Sequence, residues 1–263
     1  MSRQRIFLLS PANAGGERAR LLLREEATFD LAVRLRQEGV PIGEAFAFMS
    51  GLYFRGKLAY TQAFAAPPPD VPGSFVITGG GLAPPETHVT RDQLRALAAI
   101  PIDAADDRYR LSLERDSRVL DEIAGPDCDF VLLGSVATVK YLQPLSSVFG
   151  ERLLFPVEFV GRGDMSRGGL MLRCAESRQE LTYEPVGKIT RIGFDGQPLI
   201  CSAAALRCVA ASPAPAAAAR SARRLSINSS LSNVVGLILN EIRAAEKATF
   251  GGAGVSFHHT TAA

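Results

Sequence analysis

The chain has 263 residues, of which 47% are hydrophobic and 21% charged, the proportions of an ordinary globular protein. That composition excludes a mainly disordered polymer and a disulfide-stapled miniprotein. Lys plus Arg is 29 against 27 for Asp plus Glu, a net charge of +2, so bulk charge does not drive non-specific nucleic-acid binding, although a local basic face remains open.

In chain order, Arg5–Ser10 (RIFLLS) is a short apolar run ending at Ser-Pro and reads as a buried first strand. Gly15–Glu38 has helical spacing through Leu21, Leu22, Ala27, Leu31 and Leu35, closed by Gly39. Ile42–Phe64 is a second helical region with a break near Ser50-Gly51, followed by a proline-rich connection over Ala65–Gly73. Ser74–Thr78 (SFVIT) is the second expected strand, ended by Gly79-Gly80-Gly81. Thr90 is placed to cap a helix over Arg91–Ala99, and Arg115–Ala124 reads as another helix. Asp129–Leu133 is the third strand, Val136–Phe149 a helix closed by Gly150, and Arg152–Phe155 the fourth strand. Gly169–Arg173 and Glu180–Tyr183 are further strand candidates.

Strand, small-residue turn and helix recur after Leu9, Thr78 and Leu133. This predicts a single α/β domain over residues 1–202 with a mainly parallel or mixed central sheet flanked by helices. Its strands are apolar on both faces, as a sheet covered by helices requires. Beyond it, 203–228 is rich in Ala, Pro, Ser and Arg and reads as a flexible linker. A C-terminal helix is expected within 229–250, able to dock or to bind a protein partner, and a disordered tail over 251–263.

The four cysteines form no CxxC pair and no nucleotide-binding glycine motif occurs, so no metal and no cofactor is expected. The opening MSRQRIFLLS is too weakly apolar for a signal peptide, and no run reaches the roughly 18 residues that span a membrane. The expected setting is reduced and cytoplasmic, without membrane attachment.

In open α/β sheets ligands bind beyond the carboxyl ends of the strands, which selects the loops 10–16, 78–88, 134–140 and 156–169. Ser10 begins the first of these loops, and Gly15 and Gly16 precede the first helix, where backbone N–H groups can hold an anion or simply make a tight turn. Tyr53, Arg55, Lys57 and Tyr60 interleave cations with aromatics, which suits a phosphate with a stacked base and equally suits an amphipathic helix. His88 is the one histidine outside the tail and a candidate for proton transfer. Ser135 either binds an anion or caps a helix that carries Lys140 and Tyr141. FVGRGDMSRGG packs Arg162, Asp164, Ser166 and Arg167 among glycines, as a loop shaped around a ligand would be, or with Asp164 capping a short helix.

Three stretches together, LLSPANAGG, GLYFRGKLAY and VLLGSVATVKY followed by LLFPVEFVGRG, resemble the YaaA-like group and related α/β domains that look like the uracil-DNA glycosylase superfamily. The resemblance covers roughly residues 5–173. The chain departs from it after the first strand, where relatives often carry Cys and Lys and this sequence reads Ser10-Pro11-Ala12-Asn13. The resemblance implies association with nucleic acid or nucleobases and cleavage of an N-glycosidic bond. On that expectation Asn13 binds a base edge, Tyr53 stacks, and Asp164 activates water. Arg55, Lys57, Arg162 and Arg167 then hold phosphates, with Ser10, Gly15, Gly16, Ser135, Lys140, Tyr141 and Ser166 also facing DNA or a nucleotide. The alternative expectation is a non-catalytic nucleic-acid-binding protein of stress or phage defence.

Overall fold

The strand β1 (Gln4–Leu9) has Ile6, Phe7, Leu8 and Leu9 fully buried, because both of its faces are covered. This is seen in a computed structural model that describes residues 3–136 and 139–189. After β1 come α1 (Glu17–Leu23), α2 (Asp30–Gln37), β2 (Val40–Pro41), α3 (Ile42–Ser50) and α4 (Leu52–Phe64). Then follow β3 (Ser74–Thr78), β4 (Gly81–Ala83), β5 (His88–Val89), α5 (Arg91–Ala98) and α6 (Asp107–Ala124). The last described elements are β6 (Cys128–Leu133), α7 (Val139–Phe149), β7 (Leu153–Pro156), α8 (Asp164–Ser177), β8 (Tyr183–Pro185) and α9 (Val186–Ile189).

Six strands form one mixed sheet among the described residues, in the order β4-β3-β1-β6-β7-β8. The inner pairs β3–β1, β1–β6 and β6–β7 are parallel, and β4 and β8 are antiparallel edges. The parallel strands therefore lie in the spatial order second, first, third, fourth. Right-handed crossovers of that order place α1–α4 on one face and α6 and α7 on the other. The packing agrees: α4 lies against α8 and α3, and α6 against α7.

Several expected elements differ. Gly15–Glu38 is two helices, α1 and α2, because Arg36 Nη1 donates to the carbonyls of Glu25 and Ala27 at 2.5 and 2.8 Å and holds the break open. Phe29, at the end of that break, stacks on Phe48 of α3. The glycines 79–81 do not simply end a strand; they turn the chain back into β4, where Gly81 has φ +118. Gly169–Arg173 is not a strand but the middle of α8, whose buried residues Arg167, Met171 and Cys174 have helical spacing. The segment 156–169 is accordingly not one glycine-rich loop: a short 3-10 turn covers Val157–Phe159 and α8 starts at Asp164. The strand expected over Glu180–Tyr183 falls at Tyr183–Pro185.

The glycine wealth of α8 has a packing cause. A Cβ on Gly168 would lie 2.8 Å from Tyr53 Cα, and one on Gly56 would lie 2.6 Å from the Gly168 carbonyl oxygen. These two glycines let α4 and α8 cross backbone to backbone. Thr90 caps α5 as expected, with Gln93 completing a capping box. Among the described residues no helix is long and apolar enough to cross a membrane. The expected linker, C-terminal helix, tail and helix-borne protein partner lie outside the described residues.

Candidate functional site

A doubly wound sheet opens a crevice where neighbouring connections leave in opposite directions. Here that point lies between β1, whose chain crosses to β3, and β6, whose chain crosses to β7. Ser10 and Gly134 follow these two strands directly. A Cβ on Gly134 would lie 2.9 Å from Ser10 Cβ, so the glycine leaves the room that the serine side chain occupies.

A cleft of about 430 Å³ opens at this point. Its polar side is formed by Ser10, Asn13, Tyr53, Ser135, Lys140, Tyr141 and Asp164. Its apolar wall comes from Leu94 and Leu97 of α5 and from Ile100, Pro101 and Ile102 behind them. Gly79 lets that wall approach: a Cβ there would lie 2.6 Å from the Leu97 carbonyl oxygen. Tyr109 on α6 donates its hydroxyl to the Lys140 carbonyl at 2.9 Å and fixes the start of α7 beside the cleft.

Beneath the polar side lies a buried charge. Lys57 is 1% exposed, and its Nζ donates to the Ser10 carbonyl at 2.8 Å and sits 2.7 Å from Ser10 Oγ. It also lies 4.0 Å from the centroid of the Tyr53 ring. Burial brings the Lys57 ammonium down to about 7, partly opposed by the Asp164 carboxylate. The Tyr53 hydroxyl is buried and makes no hydrogen bond of normal geometry. Burial raises its pKa against the nearby positive charge of Arg167. Arg167 is itself buried, donates from Nε and Nη2 to the Phe159 carbonyl at 3.2 and 3.0 Å, and stands 3.8 Å from Asp164. Burial likewise pushes the Tyr141 phenol up.

The structure therefore brings Ser10, Asn13, Tyr53, Ser135, Lys140, Tyr141 and Asp164 to one cleft, with Lys57 directly behind Ser10 and Arg167 beside Asp164. Asn13 uses its side-chain carbonyl to accept from Gly15 N at 3.0 Å, and its amide nitrogen has no partner in the loop. Gly15 and Gly16 shape that turn, with Gly16 N donating to the Asn13 carbonyl, and neither lines the cleft. Arg55, Arg162 and Ser166 are exposed and outside the lining. Arg162 donates to the Glu158 carbonyl and to Ser166 Oγ. His88 is exposed on β5, opposite Pro41 of β2, and does not line the cleft.

Reading the sequence did not single out the apolar wall from α5, although Leu94 and Leu97 carried the helical spacing that could have marked it. Nor did it pair Ser10 with Lys57, which are far apart in the chain. Compared with protein-family models, curated proteins and solved structures, the chain matches none.

Proposed function

We propose that the cleft takes one nucleotide unit of DNA, or a free nucleotide, and that the protein hydrolyses its N-glycosidic bond. The observation that carries this is that a solvent-reaching carboxylate, Asp164, and the Asn13 side chain, whose amide nitrogen is not used in its own loop, line the same cleft as an apolar wall. The volume lies within the range of about 300–1,000 Å³ that small ligands fill. The Asn13 amide donates to a base carbonyl. The wall of Leu94, Leu97 and Ile102 covers a base face, and Lys140 reaches a phosphate. Asp164 takes a proton from the water that attacks the sugar carbon as the base leaves. A duplex substrate must first have its nucleotide extruded. A reduced, cytoplasmic setting is part of the proposal, and Cys128 and Cys174, buried and free among the described residues, fit it.

The test is incubation with normal and modified DNA and with free nucleotides, followed by mass spectrometry of released bases. Release that is lost in Asp164→Asn and weakened in Asn13→Ala is expected. Undiminished release in Asp164→Asn overturns the assignment. Salt-sensitive retention of unchanged DNA points instead to a binding protein.

A further inference from the structure

We propose that Ser10 and Lys57 form a nucleophile–base dyad that gives the cleft a second chemistry, acyl transfer from carboxylic esters to water, because a buried amine lies 2.7 Å from the hydroxyl oxygen of a serine that lines the cleft. This goes beyond the N-glycosidic reading and does not depend on it: the bond broken is different and Asp164 moves no proton in it, although the charges of Asp164 and Arg167 act on the Lys57 pKa in opposite senses, Asp164 raising it and Arg167 lowering it.

The geometry has four components. Among the described residues Lys57 Nζ pairs with no carboxylate; its contacts there are the carbonyl and the hydroxyl of Ser10 and the faces of Tyr53 and Phe54. An amine in such an apolar site loses its proton readily, and burial brings Lys57 to about 7. Once neutral, it donates one N–H to the Ser10 carbonyl while its lone pair faces the hydroxyl. Ser10 lines the cleft, with 6% of its surface exposed. Gly134 leaves the space in which that side chain sits. Among the described residues the buried Tyr53 hydroxyl makes no hydrogen bond of normal geometry, and it lies beside Ser10, in place to donate to an oxyanion.

The step balances without any further reagent. Ser10 Oγ bonds to the ester carbonyl carbon while its proton passes to Lys57 Nζ, and the carbonyl π pair moves to oxygen. That pair returns, the ester C–O bond breaks, and the departing alkoxide takes the proton from Lys57. Water then attacks the acyl-serine, giving its proton to Lys57. The carboxylic acid leaves and Ser10 recovers its hydrogen.

The experiment is labelling of the full chain with a fluorophosphonate, which bonds to an activated serine with loss of fluoride, read by intact mass and peptide mapping. One adduct on Ser10 is expected, at a rate that rises with pH, is half-maximal near 7 and then levels off. Ser10→Ala is expected to give none, and Lys57→Met to slow labelling by roughly a hundredfold or more. Should Lys57→Met fail to fold, the pH profile of the parent chain decides, and a rate without an inflection near 7 overturns the dyad. Ser10→Cys with iodoacetamide separates access from activation. Alkylation at that position without a phosphonyl adduct in the parent chain shows an open but unactivated serine and overturns the proposal, and absence of both overturns it as well. None of these readouts requires base release, so failure of the dyad and failure of the N-glycosidic reading are seen separately.

Discussion

Helix α4 carries two polar clusters on one buried face, and they are built differently. Toward its carboxyl end, the Tyr60 hydroxyl meets the Tyr183 hydroxyl at 2.5 Å and accepts from Leu181 N at 2.9 Å. Tyr183 in turn donates to Glu180, which pairs with Arg5, and the Arg5 guanidinium lies over the Tyr183 ring. Toward its amino end, one and two turns earlier, Lys57 pairs with no carboxylate among the described residues and the Tyr53 hydroxyl makes no hydrogen bond of normal geometry there. The first cluster is satisfied and ties β8 to the sheet edge. The second is half-satisfied, and it is the one that faces the cleft. A buried polar group without its partners costs free energy, so such a group is a sign of a site rather than of scaffolding.

Four changes break or sharpen that contrast. The largest effect is expected for Gly168→Val, which drives a side chain into the Leu52–Tyr53 backbone at the crossing both clusters depend on. A loss of about 3 kcal/mol is expected from urea unfolding. Tyr60→Phe strands Leu181 N and is expected to cost about 2 kcal/mol by the same measurement. Third comes pH. Because burial lowers Lys57 to about 7, the unfolded chain holds more protons than the folded one above that value. Stability from this group therefore rises with pH between about 7 and about 10.4, by up to about 1.4 kcal/mol per unit, and is level at lower pH. Unfolding curves across that window check the slope, and Lys57→Met is expected to flatten it. The smallest effect is expected for Tyr53→Phe, which removes a hydroxyl without a partner and is expected to shift stability by less than about 0.5 kcal/mol in the same assay.

The contrast also explains what could be read from the chain. Strands such as Ser74–Thr78 and Cys128–Leu133 were legible because they are buried on both faces and read as continuous apolar runs. The break at Gly51, where φ is +58, was marked by its glycine. The break within 15–38 was not, because Arg36 creates it by reaching back to carbonyls that no local pattern announces. Gly163, Gly168 and Gly169 looked like a ligand loop because a helix-crossing glycine and a loop glycine are the same letter. Position after a strand located Ser10 and Ser135, but what stands behind Ser10 is set by α4 packing across the sheet. A lysine among aromatics reads the same whether its amine meets phosphate, water or a serine. The side of the cleft from α5 was hidden for a related reason, since its leucines look like ordinary core.

Hydrogen exchange with and without a saturating single-stranded oligonucleotide tests most directly that function lies at the half-satisfied end of α4. Slowed exchange is expected in peptides covering 10–16, 52–57 and 139–141, with residues 178–185 around Tyr183 unchanged. Protection confined to 178–185, or none at the first three segments, would contradict the placement of the site.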